Sequence, residues 1–332
     1  MSRIKTAVIA GESVPCGVCG GVESKPLFSC GDPDGISQEL FTLVRCSNCG
    51  LIFVNPRPAP AEIGHFYFQA YYKKPRKYIS WCVGFFDALM QSYRRRRIAR
   101  SRKSGRLLDV GCGDGAFLAH MSRHGWEGWG VETSPDGVSM AGARPGLRIF
   151  DKPLLDCGLP AGHFDAVTLW HSIEHIPNPV AVLREIRRLL NDDGILFLAL
   201  PNIGGWDFPL FKGRWFHLDI PRHLNQYTPE TIAAVLEKAG FEVSRIRHFS
   251  WEYNLFGALQ SMLNVISIQM NFLYNFLKGI KTPRSGRLKN SYDLCVAIAA
   301  VPAAIVLAVL YSSVSAACGR AGSIEVYALK KK

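Results

Sequence analysis

The sequence predicts an α/β protein organised around a doubly wound, mostly parallel sheet, and three observations lead there. Strand-like and helix-like segments alternate from residue 106 to 248. The stretch LLDVGCGDGAFL (107–118) runs an apolar strand straight into a glycine turn and a helix. Upstream of it stand two Cys-x-x-Cys pairs, the mark of a small separate module.

In order, strands are expected at 106–110, 128–132, 147–151, 164–170, 194–200 and 241–248. The helices between them fall at 115–124, 136–142, 178–190 and 229–239. This alternation puts any ligand at the carboxyl ends of the strands. The first module holds Cys16-x-x-Cys19 and Cys46-x-x-Cys49, each pair closely followed by glycine. Two such thiolate knuckles suit one tetrahedral structural Zn(II), which stabilises a segment too small for a core of its own. The other cysteines lack paired spacing and read as packing residues.

Residues 59–104 read as helical: PAEIGHFYFQAYY, then the amphipathic ISWCVGFFDALMQSYRRRRIARSRK with its basic end. Of the formal net charge of +12, much is concentrated in 73–106, where the acid Asp87 stands among Lys73, Lys74, Arg76, Lys77, Arg94–Arg97, Arg100, Arg102, Lys103 and Arg106. Such a block favours an anionic partner: a membrane surface, a phosphate-bearing substrate or RNA. The N-terminal apolar run is too short for a secretory signal, so the catalytic part is expected in the cytosol.

The glycine turn admits two readings. Gly111, Gly113 and Ala116 satisfy the dinucleotide fingerprint, with Glu132 placed for a ribose hydroxyl. Asp109 favours the other, because a carboxylate two residues before the first glycine repels a pyrophosphate but attracts a cationic donor. S-adenosylmethionine is such a donor: it carries a sulfonium and an ammonium and no phosphate.

The run LLDVGCGDGAFL, then GVETS, then HFDAVTLWHSIEHIPNPVAVLREIRRLLNDDGILFLALPN resembles the class I S-adenosylmethionine-dependent methyltransferases over residues 105–250. The resemblance implies a Rossmann-like seven-stranded sheet closed by a sixth and a seventh strand. FEVSRIRHFS (241–250) fits the sixth and SIEVYALKK, at the far end of the chain, the seventh. It also implies that Asp109, Gly111, Gly113 and Gly115 line the methionine part and that Glu132 binds the ribose. Asp156, with Asp151 as its alternative, and Trp170 would sit near the adenine or the methyl. GLIFVNPRPAP resembles the joint by which some of these enzymes attach a zinc ribbon, and the helices of 59–104 resemble the family's lid. The resulting division is a zinc-ribbon module at 1–58, a lid and basic linker at 59–104, a catalytic domain at 105–250 plus 322–332, and an insertion at 251–321.

That insertion contains two uncharged runs. In 253–277, Asn254, Gly257, Ser261, Asn264, Ser267, Asn271 and Asn275 form one helix face and Leu255, Leu259, Met262, Ile266, Leu273 and Leu277 much of the other, as for a helix lying in a membrane interface. The run 294–318 is long enough to span a bilayer. A single crossing would put the seventh strand on the wrong side from the sixth, and two crossings would export the basic loop 278–293. The expectation is therefore monotopic association at the cytoplasmic face of the membrane, with the second run folded back at Pro302 and the basic loop on anionic headgroups.

Methyl transfer to a hydroxyl needs alignment and a base titrating near neutrality, which points to histidine. His171 and His175 follow the fourth strand; His217 and His223 lie in WFHLDIPRHLNQYTP, which resembles the family's stretch over the acceptor pocket. The candidate base is His223, then His175. Asp219 would orient a histidine, and Arg222 would hold an acidic or phosphate group of the acceptor. Glu174-His175 also resembles the quinone-pathway O-methyltransferases, although His171 departs from their pattern. The expected reaction is O-methylation of a lipid or lipid-linked glycan. The alternatives are a soluble nucleotide-sugar C- or O-methyltransferase and an RNA methyltransferase; LWHSIEH lacks the Asn-Pro-Pro-aromatic loop that base methylators carry, so nucleic acid is not the expected partner.

Overall fold

The computed structural model describes residues 11–67, 80–283 and 285–332. The strands are β1 (Gly11–Glu12), β2 (Ser24–Gly31), β3 (Leu40–Cys46), β4 (Ile52–Val54), β5 (Arg57–Pro58), β6 (Gly105–Val110), β7 (Trp126–Val131), β8 (Arg148–Phe150), β9 (Phe164–Trp170), β10 (Leu190–Pro201), β11 (Asn225–Gln226), β12 (Phe241–Arg247) and β13 (Ser323–Lys330). The helices are α1 (Pro60–Ile63), α2 (Ser80–Ala99), α3 (Ala116–Ser122), α4 (Pro135–Gly142), α5 (Pro179–Leu189), α6 (Asp207–Phe211), α7 (Pro229–Lys238), α8 (Trp251–Ile266), α9 (Phe272–Lys278) and α10 (Arg287–Ala317). The chain forms two compact units: one of Met1–Arg76, Pro201–Thr231 and His248–Ile324, the other of Lys77–Leu200, Ile232–Arg247 and Glu325–Lys332.

In the second unit the seven-stranded sheet has the order β12-β13-β10-β9-β6-β7-β8. Strands β10, β9, β6, β7 and β8 are parallel, and β12 pairs antiparallel with β13. The central strands are buried on both faces, as Leu107, Leu108, Ala166, Val167, Leu169 and Leu196 to Leu200 illustrate, which is why they read as apolar runs without alternation. Local signals set the helices between them. In α5 the Asn178 side chain accepts from the Ala181 N–H at 3.2 Å, Pro179 opens the first turn, and Arg187 and Arg188 sit at the negative end of the helix dipole.

In the first unit the sheet order is β11-β4-β3-β2. Three ribbon strands thus gain a fourth from the far side of the sequence, Asn225 and Gln226 pairing with Phe53 and Ile52. Beneath this sheet Leu43, Val54, Phe66, Trp215, Leu218 and Ile220 form one core.

The insertion departs from its expected form in two ways. The first run is broken at 267–271 into α8 and α9, and its polar row faces inward: Asn254, Ser261, Asn264, Asn271 and Asn275 are all buried. They bond backbone left open elsewhere in the unit. Ser261 Oγ accepts from the Phe216 N–H at 2.9 Å, and Asn264 Nδ2 donates to the Arg214 carbonyl at 3.0 Å. The second run is one continuous helix through Pro302, not a fold-back. Pro302 removes one hydrogen bond to the preceding turn, but Ala297, Ala304, Ala308 and Ser312 are buried on both sides of it. Ala304 and Ala308 share a core with Ala258, Leu259 and Leu263 of α8, so small residues let the two helices pack together beyond the proline.

Candidate active site

The glycine turn follows β6 in the second unit. Gly111, Gly113 and Gly115 have φ of 78°, 58° and 71°, the left-handed region that L side chains disfavour. At Gly111 a Cβ would also lie 2.4 Å from the Ser172 Oγ, so no larger residue fits. Glu132, at the end of β7, locks the turn: its Oε2 accepts from the Gly113 N–H at 2.9 Å, and its Oε1 accepts from Thr133 and Ser134 at 2.9 and 2.8 Å. Three of the carboxylate's roughly four acceptor sites are thus used, which fixes its orientation.

Asp109 is 3% exposed and accepts a 2.6 Å hydrogen bond from Thr168 Oγ1 of β9, its neighbour in register. Burial pushes its carboxyl up to about 7; the Thr168 bond and the charge of Arg94 oppose this, and Glu132 adds to it. Trp170 packs 5.4 Å from Phe117 and 4.4 Å from Phe197, with the Arg94 guanidinium 4.9 Å above its ring. Its indole N–H is buried with no hydrogen-bond partner among the described residues. His171 has a φ of 49° and lies 3.3 Å from Glu174. Burial, then Arg94 and His175, hold it well below the ordinary histidine range, so its ring is neutral. Asp156 is exposed at the end of a turn after β8, Leu154–Asp156, that is anchored by the buried Leu154.

Of the other candidate histidines, His175 ends the turn Ile173–His175 in the second unit, whereas His217 and His223 belong to the first. His217 Nε2 donates to the Tyr253 carbonyl at 2.9 Å, and α8 approaches so closely that a Cβ at Gly257 would lie 2.4 Å from that nitrogen. His223 donates from Nδ1 to the His217 carbonyl at 2.9 Å, which fixes the orientation of its ring. The Asp219 Oδ2 stands 3.8 Å from that Nε2. Arg222, expected at an acceptor's acidic group, is 2% exposed and bonded within the protein. Its Nε donates to Asp219 at 2.9 Å, its Nη1 to Asp34 at 2.5 Å and to the Phe66 carbonyl at 3.1 Å, and its Nη2 to Asp219. Two carboxylates neutralise it, so Arg222 clamps this loop to the ribbon. A small cleft beside Asp219 is lined by Cys30, Pro33, Trp215, Leu218 and Met270.

The sulfurs of Cys16, Cys19, Cys46 and Cys49 all lie within 4.8 Å of one another, with Cys16–Cys49 and Cys19–Cys46 at 3.5 Å. Four Zn–S bonds of the usual length place tetrahedral sulfurs about 3.8 Å apart, so the set fits one Zn(II). Left-handed Gly20 and Gly50 turn each knuckle, their N–H groups donating to the Cys16 and Cys46 carbonyls at 2.8 and 3.1 Å.

Sequence reasoning missed Thr168, Arg94, Asp34 and the clamping role of Arg222. Each depends on a partner distant in sequence, and the basic block gave only a weak signal for Arg94.

A methyltransferase-domain family matches residues 85–246. Among curated proteins, the chain is 30% identical over 168 residues to a ubiquinone biosynthesis O-methyltransferase of Xanthomonas axonopodis pv. citri, covering 46% of this chain and 70% of that protein. The identity is 27% over 183 residues to the protein of the same name from Bordetella avium, covering 52% and 75%. A solved S-adenosylmethionine-dependent methyltransferase from Archaeoglobus fulgidus is 18% identical with a TM-score of 0.47, covering 77% of this chain and 100% of that one. With the seven-stranded sheet, the family match and the 30%-identical relative define the class: the chain belongs to the class I S-adenosylmethionine-dependent methyltransferases. It is an enzyme, and its methyl donor is S-adenosylmethionine.

Proposed function

We propose that the protein O-methylates a lipid or lipid-linked acceptor at the cytoplasmic face of a membrane. The observation that carries this reading is the inverted polarity of the insertion. Its polar residues are buried against protein, while Val265, Ile266, Ile298, Val306, Leu307, Leu310 and Val314 are 47–70% exposed. In α10, a helix long and apolar enough to cross a membrane, only 17% of the most apolar window is buried. A surface of this kind is stable in hydrocarbon and costly in water. Because β12 and β13 are hydrogen-bonded neighbours, the chain enters and leaves the insertion on one side, which favours α10 lying within one leaflet. The relatives named for O-methylation in ubiquinone biosynthesis favour oxygen as the acceptor atom.

In this reading Asp109, Gly111, Gly113 and Gly115 hold the methionine end of the donor, Glu132 the ribose, and Trp170 and Asp156 the region of the methyl and adenine. Bound S-adenosylmethionine supplies a methyl carbon activated by its sulfonium. His223 is the candidate base, its ring fixed by the His217 carbonyl, with Asp219 beside it fixed by Arg222. His175 is the second candidate and His171 a neutral lining group. Zn(II) on the four cysteines supports the fold. The test is radiolabelled donor incubated with total membranes and then partitioned. Label in the organic phase is expected; label in the aqueous phase would replace the lipid acceptor with a soluble one.

A further inference from the structure

The turn between α8 and α9 is fastened by both α8 and α10. Asp293 of α10 accepts from the Ile268 and Gln269 N–H groups at 2.8 and 3.1 Å and from Gln269 Nε2 at 2.8 Å. Asn264 of α8 accepts from the Asn271 N–H at 2.8 Å and donates to Asn271 Oδ1 at 3.0 Å, while Gln260 Oε1 accepts from the Tyr274 N–H at 2.9 Å. Gln260, Asn264, Gln269, Asn271 and Asp293 are all buried, so this network holds whatever the turn carries in a fixed place. It carries Met270 and Asn271, which line the cleft beside Asp219 together with Trp215 and Leu218. Trp215 is 1% exposed, and its indole N–H is buried with no hydrogen-bond partner among the described residues. Such an open donor at a cleft wall is costly unless a bound group or water accepts from it. One helical turn beyond Met270, the half-buried Tyr274 packs 5.4 Å from Phe216. Burial, then the charge of Asp219, push its phenol up to about 12, with Arg222 opposing and Asp34 adding, so the hydroxyl stays protonated at neutral pH.

We infer that the insertion completes the acceptor site: residues 270–274 and the loop 215–219 close on the uncharged, hydroxyl-bearing head of an amphiphilic acceptor, and Tyr274 hydrogen-bonds that head. This deepens the reading of His223 and Asp219 given above and rests on it. Charge selects the class of head. Among the described residues none that lines the cleft is cationic. Arg222 is neutralised by Asp34 and Asp219, and Arg214, next in the chain to the lining residues, donates to the Asn264 carbonyl. With the Asp219 carboxylate at the wall, a phosphate or carboxylate is repelled. A hydroxyl is welcome there, because it can accept from Trp215 or Tyr274 and donate to Asp219. The apolar part of the acceptor follows from the neighbourhood of the turn. Val265, Ile266 and Ile268, 47–56% exposed, come directly before Met270, so a hydrocarbon body beside the cleft meets a surface of its own kind. The insertion thus both contacts the bilayer, on the membrane reading, and receives the acceptor from it.

Initial rates of the full-length protein with radiolabelled donor, measured over a range of total membranes and separately of the soluble fraction, test this. Tyr274→Phe keeps the ring against Phe216 and removes only the hydroxyl. It should raise the apparent KM for membranes roughly tenfold, with kcat, donor affinity and hydrogen exchange at 217–226 unchanged. Met270→Trp, which fills the cleft, should lower kcat/KM with donor affinity intact, and Met270→Lys should not lower KM. A wild-type KM in Tyr274→Phe, or a wild-type kcat/KM in Met270→Trp, with label in the organic phase overturns this inference and leaves the membrane reading standing. Faster exchange at 217–226 in Tyr274→Phe would make the residue a support of the loop and overturns it too. A lower KM in Met270→Lys would show an anionic head in place of the uncharged one. Label in the aqueous phase removes the membrane reading and the amphiphile with it.

Discussion

Asp109 carries a pH signature. With its carboxyl pushed up to about 7 by burial, it is mostly protonated at pH 6 and ionised at pH 8. A cationic donor prefers the ionised form, so donor affinity should rise with pH through about 7, and binding near pH 6 should release a proton. Calorimetry in buffers of differing ionisation enthalpy measures that release; Asp109→Asn should abolish it, and release undiminished in the variant would assign it to another group. At His223 the expected loss is in turnover: His223→Ala should lower kcat by about 10²–10⁴ with little change in donor affinity. An equal fall in both would make the residue a support of the loop. The glycine turn and its two flanking carboxylates were legible in the sequence because a carboxylate, three glycines and a second carboxylate recur at short spacing. Arg222 was misread because its carboxylate partner Asp34 is 188 residues away, and an arginine that is satisfied in the interior has the same letter as one awaiting a phosphate.

Among the elements, α2 is fastened to β13 by the fully buried Glu325, which accepts from Tyr93 at 2.8 Å and pairs with Arg97 at 3.0 Å. Removing one member leaves a buried charge uncompensated, so Glu325→Gln should cost about 3–5 kcal/mol in urea unfolding. The double variant Glu325→Gln/Arg97→Met should recover much of this; strict additivity of the single changes would deny the coupling. The ribbon makes a second case. Stripping zinc with a chelator should loosen β3, β4 and β11, and with them the loop from His217 to His223. Exchange at 217–226 should rise while donor binding by the other unit persists; unchanged exchange would show that the apolar core beneath the sheet suffices. Strand positions were legible here because buried parallel strands write themselves as apolar runs. The orientation of α8 was not. An amphipathic pattern tells which residues share a face, but it is silent on whether the polar face meets water or the backbone groups of a neighbouring segment.

For the whole molecule the membrane reading predicts that the exposed apolar surface of α8 and α10 holds the protein on a bilayer. Carbonate washing should leave full-length protein in the membrane pellet, and release into the supernatant would remove the bilayer from the account. The order of strands has one more effect. β13 is an interior strand, held between β12 and β10, yet the chain supplies it only after the apolar helices have been made. During synthesis the half-finished sheet must wait with a gap at that position while the nascent insertion leaves the ribosome. Translation itself therefore delays closure of the sheet until the apolar segment has been made, which on the membrane reading gives that segment time to reach lipid before the enzyme is complete.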